Sequence, residues 1–103
     1  MNINTLGLCK KAGRLVCGFD PVLEELAKPK TKAAGILLAK DLSPKTRKEL
    51  DFRLRQAGKN IPCRELDADM DSIGRILGKR TGILLITDEG FWRNLTNNSA
   101  QSV

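Results

Sequence analysis

The chain has 103 residues, of which 41% are hydrophobic, so it is long enough for one domain with a small core and too short for two. It carries 18 lysines and arginines against 12 acidic residues, and the net charge of +6 favours a polyanion or an anionic surface as the partner. The chain has no histidine, its three cysteines include no C-x-x-C pair, and it has no long apolar run. These features argue against a zinc site and a membrane span. They predict a cytoplasmic protein in a reducing compartment.

The positive charge is unevenly distributed. Residues 1–60 contain 13 basic and six acidic residues, whereas residues 61–103 contain five and six. We therefore expect the basic face to be built mainly from the first half of the chain. An ordinary solvated basic surface is the alternative, since charge alone does not identify a partner.

Predicted helices and strands alternate along the chain. In chain order they are a helix at 3–12, a strand at 14–17, a helix at 20–28, a strand at 34–39, a helix at 43–57, a strand at 60–66, a helix at 69–77, a strand at 82–87 and a helix at 88–95. Pro62 suggests that the third strand lies at a sheet edge. This alternation predicts an α/β fold over residues 1–95, with helices on both faces of one sheet, followed by a disordered tail at 96–103.

Two strands end at turns that lead into a helix through a proline. The first turn contains Gly18, Phe19, Asp20 and Pro21, and the second contains Lys40, Asp41, Leu42, Ser43 and Pro44. Asp20 and Ser43 can each accept a hydrogen bond from a free backbone N–H, and proline suits the first position of a helix. If the two strands lie side by side, both helix N-termini open on one rim of the sheet, where phosphate oxygens are favoured.

Two motifs resemble ligand sites but lack essential residues. One is the acidic run Asp67, Asp69 and Asp71, which has the spacing of the first calcium-loop ligands. A calcium loop also needs a glycine at its sixth position and a glutamate at its twelfth, and this chain has neither. These acids are therefore predicted to stabilise the N-terminus of the following helix. The segment 74–79 is one residue too short for a nucleotide-binding P-loop and precedes a strand. It is interpreted as a helix end followed by a turn in which Lys79, Arg80 and Thr81 are exposed. No metal site and no cofactor site are predicted.

Enzymatic chemistry has little support in the sequence. The chain contains neither histidine nor tyrosine, and no carboxylate, lysine or cysteine pair sits in an activating context. Cys17 precedes a predicted helix N-terminus, where a thiolate can be stabilised, but most cysteines in such strands are packed. Phe19 could stack on a base or pack across the helix start. We expect a protein that is not an enzyme.

Several segments taken in order resemble the bacterial YlxQ proteins, a branch of the kink-turn-binding ribosomal protein superfamily that includes L7Ae and L30e. The segments are 6–18, 37–43, 60–62, 74–79 and 86–91, and the resemblance extends over residues 3–95. It implies a three-layer α/β/α sandwich around a four-stranded mixed sheet. It also implies binding to structured RNA with sharply bent kink-turns, such as ribosomal RNA. We expect a monomer without a small-molecule substrate.

The resemblance further implies where RNA would bind: the turn that opens the second helix, the turn after the second strand, and the loop before the last strand. In this chain the candidate residues are Gly18, Phe19, Asp20, Lys40, Asp41, Leu42, Lys79, Arg80, Thr81 and Gly82. Lys32, from the strongly basic turn at 28–32, is added as a further phosphate contact.

The first of these turns departs from the family signature, which runs Gly, any residue, Asn, Glu, two residues, Lys. This chain keeps Gly18 but has Asp20, Pro21 and Glu24 at the asparagine, glutamate and lysine positions. Two hypotheses follow. The leading one is an RNA-binding protein of translation or ribosome-associated processes, held mainly by phosphate contacts. The alternative is a protein-interaction adapter on the same fold that has lost kink-turn reading.

Overall fold

The computed structural model describes residues 3–96, in which five α-helices alternate with four short β-strands. The elements are α1 (Thr5–Lys11), β1 (Leu15–Cys17), α2 (Phe19–Leu26), β2 (Gly35–Leu38), α3 (Pro44–Gln56), β3 (Cys63–Glu65), α4 (Met70–Leu77), β4 (Ile83–Ile86) and α5 (Glu89–Thr96). Each predicted helix and strand is present, with ends that shift by a few residues. The last helix includes Thr96, the first residue of the predicted tail, and 97–103 lie outside the described residues.

The strands form one mixed sheet in the order β1-β4-β2-β3. β4 is antiparallel to both β1 and β2, and β3 is parallel to β2 at the edge of the sheet, as Pro62 predicts. β1 and β2 are therefore not side by side, because β4 lies between them. They nevertheless point in the same direction, since each is antiparallel to β4, and their C-terminal ends reach the same end of the sheet.

Two hydrophobic clusters cover the two faces of the sheet. α1, α4 and α5 pack on one face, and α2 and α3 pack on the other. β4 serves both faces by the alternation of its side chains, with Leu84 and Ile86 in the first cluster and Ile83 and Leu85 in the second. All four of these residues are buried, and the sequence of β4 is accordingly a continuous apolar run. The three-layer α/β/α sandwich implied by the resemblance is confirmed.

None of the helices between residues 3 and 96 is long and apolar enough to cross a membrane.

Candidate nucleic-acid interface

Four chain segments meet at the end of the sheet where β1 and β2 finish. The backbone N–H of Gly18 donates to the Ile83 carbonyl (2.9 Å), and the N–H of Ala39 donates to the Gly82 carbonyl (3.0 Å). The N–H of Lys40 donates in turn to the Ala68 carbonyl (2.9 Å). These bonds join 18–21, 39–44, 66–71 and 79–82 into one surface, which we call the rim. Two of the four segments are the proline-containing turns singled out in the sequence.

The first turn of the rim has a different geometry from the one the sequence predicts. Gly18 has φ 100° and ψ 156°, a conformation open almost only to glycine, and α2 begins directly after it at Phe19. Asp20 thus lies inside the first helical turn and no side chain caps the helix, so the predicted capping role of Asp20 is wrong. Pro21 occupies the third helical position, where its missing N–H costs no intrahelical bond.

Phe19 and Asp20 differ in exposure. Phe19 is half-buried and packs against the cluster that contains α2 and α3, which favours the packing interpretation of this residue over base stacking. Asp20 is exposed beside it and adds negative charge to the positive end of the α2 dipole.

The second turn follows the predicted pattern. Ser43 Oγ accepts a hydrogen bond from the N–H of Thr46 (3.4 Å), and Pro44 is the first helical residue. Asp41 Oδ1 accepts from the N–H of Met70 (2.9 Å), so its carboxylate ties this turn to the start of α4 instead of standing free. Lys40 is exposed, whereas Leu42 is half-buried against the α2 and α3 cluster.

The loop before β4 has an exposed half and a buried half. Lys79 and Arg80 are exposed. Thr81 is only 6% exposed and its Oγ1 donates to the Ile83 carbonyl (3.3 Å), so the expectation that its side chain is exposed is wrong. At Gly82 an added Cβ would stand 2.9 Å from Leu42 Cδ1 and 3.0 Å from Met70 Sδ, so the absence of a side chain lets the loop pack closely on both neighbours.

Acidic residues surround the cations of the rim. Arg80 Nε lies 2.8 Å from Asp71 Oδ1, and Lys40 Nζ lies 3.9 Å from Asp67 Oδ1. Both pairs are well exposed, so they contribute little to stability and can exchange for other partners. Among the residues that the structure describes, Lys79 has no ion-pair partner within the same distance.

The turn at 66–71 is the part of the rim that the sequence did not assign to the site. Asp69 caps α4, as predicted for this acidic run, and accepts from the N–H of Ser72 (2.8 Å). That hydrogen bond is the main reason why the pKa of Asp69 lies below its usual range. The pairing of Asp67 and Asp71 with rim cations required knowledge of the tertiary fold, since the partners are far apart in sequence. Within residues 3–96, no group of three or more potential ligands is placed to hold a metal ion.

Lys32 lies apart from the other candidate residues. It precedes β2, whereas Lys40 follows it, so the two lysines stand at opposite ends of the sheet. Lys32 lines a cleft there with Arg14, Lys30 and Glu25. The structure therefore does not bring Lys32 to the rim.

Cys17 ends β1 at the rim but does not have the properties of an activated nucleophile. Burial raises the pKa of its thiol, and the nearby Lys79 and Lys10 ammonium groups oppose this only in part. A thiol with a raised pKa is protonated at neutral pH, and the thiolate is the reactive form. Cys17 is therefore a packed cysteine, the interpretation that the sequence favours over an activated thiolate.

Comparisons with known proteins agree with this architecture. The model of the ribosomal protein L7Ae/L30e/S12e/Gadd45 family matches residues 3–96. The chain is 28% identical over 89 residues to the RNA-binding protein YlxQ of Enterococcus faecium, covering 86% of this chain and 82% of that protein. A solved structure of a protein of unknown function from Bacillus halodurans C has the same fold, with a TM-score of 0.72 and 24% identity over 90% of both chains. The chain belongs to the ribosomal protein L7Ae/L30e/S12e/Gadd45 family and is similar to its YlxQ branch.

Proposed function

We propose that this chain is a cytoplasmic, monomeric, non-enzymatic protein that binds structured RNA of the kink-turn type at the rim, in translation or a ribosome-associated process. The observation that carries the proposal is the convergence of 18–21, 39–44 and 79–82 at one end of the sheet, with exposed Lys79 between the two turns. Family membership and the similarity to an RNA-binding YlxQ protein support it.

The charges of the rim determine how RNA would approach. Lys79 is unpaired within the described part of the chain, and Arg80 and Lys40 can exchange exposed carboxylate partners for phosphate oxygens. Asp67 and Asp71 repel phosphate, so a phosphate reaches Lys40 or Arg80 only by displacing them, whereas Lys79 can bind a phosphate directly beside the first turn. Asp20, exposed at that first turn, can only accept hydrogen bonds while ionised, which suits a base amino group and not a phosphate.

The test is a titration of a duplex RNA with a three-nucleotide bulge, and of the same duplex without the bulge, across a series of salt concentrations. The variant Lys79→Ala with Arg80→Ala should weaken binding and make the slope of log affinity against log salt shallower by about two, because two phosphate contacts are lost. Lys11→Ala with Arg93→Ala removes the same charge from exposed positions on α1 and α5, and should leave the slope nearly unchanged. Absence of binding to the bulged RNA at low salt contradicts the proposal.

A protein-interaction adapter is the second candidate, and one observation favours it. The rim holds three cations, Lys40, Lys79 and Arg80, against five carboxylates, those of Asp20, Asp41, Asp67, Asp69 and Asp71. Such a surface also fits a basic protein partner. The adapter hypothesis gains support if neither RNA binds at low salt while the variant Lys79→Ala with Arg80→Ala remains folded.

A further inference from the structure

The outer face of α3 carries an exposed aromatic ring among basic residues. Leu50 and Leu54 face the core, and on the opposite side of the helix the spacing of three, four and three positions aligns Lys45, Lys48, Phe52 and Arg55. We call these last four residues the α3 stripe. Lys45, Lys48 and Arg55 are exposed, and Phe52 is 57% exposed.

Phe52 is unusual in this molecule because the fold hides nearly all of its large apolar side chains. Within residues 3–96, the other exposed large hydrophobic residue is Leu8 on α1, which is 61% exposed. The two positions lie on opposite faces of the sandwich, since α1 and α3 cover opposite sides of the sheet. Exposing a phenyl ring to water is unfavourable, because burial stabilises apolar surface. A polar residue at this position would be equally compatible with the helix.

The cations of the α3 stripe differ from Lys40 and Arg80 of the rim in having no acidic partners. In the described part of the chain, none of Lys45, Lys48 and Arg55 forms an ion pair. Arg47 and Asp51 pair with each other on the flank of the helix (3.3 Å). Glu49 is the acid beside the stripe, and Arg53 lies next to it. The outer face of α3 is thus a strongly positive surface with an aromatic ring near its middle.

We propose that the α3 stripe is a second RNA-binding surface, which holds an unpaired strand with one base stacked on Phe52 and phosphates on Lys45, Lys48 and Arg55. The inference rests on the proposed function, because α3 begins at the rim and would receive RNA that leaves it. Helix rise places Lys45 and Arg55 about 15 Å apart, close to the length of four stacked nucleotides. An unpaired strand fits better than a duplex, because only an unpaired base exposes its face to the ring.

The experiment compares two RNA probes that share one bulged duplex. One probe has blunt ends, and the other carries unpaired eight-nucleotide uridine extensions on both 3′ ends. Phe52→Ala should weaken binding of the extended probe about tenfold and change binding of the blunt probe less than twofold. Leu8→Ala is the matched control, since it removes an equally exposed apolar side chain from the opposite face, and it should change neither affinity. Thermal unfolding of both variants checks that each is folded.

The charges are tested with a second pair of variants. Replacing Lys45, Lys48 and Arg55 by glutamine should make the salt slope for the extended probe shallower by about two, which is the expectation for three phosphates of a single strand. Replacing Lys11, Arg75 and Arg93 by glutamine removes equal charge from exposed positions on the other face and should leave the slope nearly unchanged. Equal effects of the two triple variants would overturn the inference, because net charge alone would then explain binding.

A direct contact is measured with 4-thiouridine in the extension. Cleavage after Lys48 and Arg53 releases the peptide 49–53, which contains Phe52, and this peptide should carry the cross-link. Phe52→Trp should bind the extended probe with unchanged affinity, and the fluorescence of the tryptophan at position 52 should fall when RNA binds. The buried Trp92 supplies the background emission. Cross-links that avoid the peptide 49–53, or an unquenched Phe52→Trp, would overturn the inference.

The outcomes separate this inference from the proposed function. If Phe52→Ala binds both probes as the unmodified protein does while the rim variants weaken both, the α3 stripe is not an RNA surface and the proposed function stands. If the blunt probe is not bound but a free uridine oligonucleotide binds in a Phe52-dependent manner, the rim proposal fails and the α3 stripe stands. If no RNA binds, both fail, and Phe52 is left as the centre of a protein-docking surface.

Discussion

The two turns that lead into α2 and α3 contain the same elements, an acceptor side chain followed by proline, yet they form different structures. In the second, Ser43 caps α3 and Pro44 is its first residue. In the first, Gly18 occupies the N-cap position without a side-chain hydrogen bond, and Asp20 and Pro21 lie within the helix. The same short pattern therefore marks a capped helix start in one place and the interior of a first turn in the other.

The length of the connection explains the difference. One residue, Gly18, separates the end of β1 from the start of α2, whereas residues 39–43 separate β2 from α3. A one-residue connection reverses the chain through a backbone conformation that glycine supplies. A longer connection leaves room for a side chain to fold back onto the helix N-terminus. The number of residues between the strand and the helix therefore decides whether an acceptor residue followed by proline lies at the start of the helix.

The largest expected effect follows from the backbone at Gly18. Gly18→Ala should lower the free energy of unfolding by about 2–3 kcal/mol, because its φ and ψ lie in a region reserved almost entirely for glycine. Urea denaturation measures the change. Lys40→Ala, in the second turn, should change stability by less than about 0.5 kcal/mol, because that turn has no residue with positive φ. Equal losses for both variants would break the contrast between the turns.

The next effect concerns the caps. Ser43→Ala should cost about 1 kcal/mol of stability because it removes the acceptor for the N–H of Thr46. Asp20→Ala should stay within about 0.5 kcal/mol, since Asp20 forms no cap and contributes only its charge near a helix N-terminus. Thermal unfolding of the two variants side by side decides the matter. A larger loss for Asp20→Ala would mean that the first turn is capped in solution.

A smaller effect is expected at the acidic side of the rim. Asp71→Asn should raise affinity for the bulged RNA about threefold, because it releases the Arg80 guanidinium from its carboxylate partner and removes a charge that repels phosphate. Glu89→Gln, an exposed change on α5, supplies the control for net charge. Titration at fixed salt measures both. An unchanged affinity for Asp71→Asn would place the RNA away from Arg80.

The smallest effect is a difference in thiol protection. Burial raises the pKa of both the Cys17 and Cys63 thiols, so both should react slowly with iodoacetamide at pH 7 and faster as the pH is raised. Bound RNA should slow alkylation of Cys17, at the rim, about twofold and leave Cys63, at the opposite end of the sheet, unaffected. Mass spectrometry of the labelled peptides gives the rates. Equal protection of both cysteines would argue against binding at the rim.

The elements of this fold could be predicted from the sequence because each depends on local patterns, such as the apolar run that forms β4. The position of β4 between β1 and β2 could not, because strand order depends on pairings between distant residues. The same limit hid the ion pairs of Lys40 and Arg80 and the burial of Thr81. The position of Phe52, opposite Leu50 and Leu54 on a helical wheel, can also be inferred from the sequence, because helical periodicity is a local pattern.

The central place of β4 also has a consequence for how the protein is made. β1 and β2 leave the ribosome long before β4, and until β4 arrives they have no common neighbour: Leu15 pairs with Ile86, and so does Gly35. Contacts between such distant residues slow folding. In the newly made chain, β1 therefore has no strand to pair with until β4 is synthesised. We expect the rim to be absent from every nascent chain that ends before residue 83, so RNA would be bound only after synthesis of the domain is nearly complete.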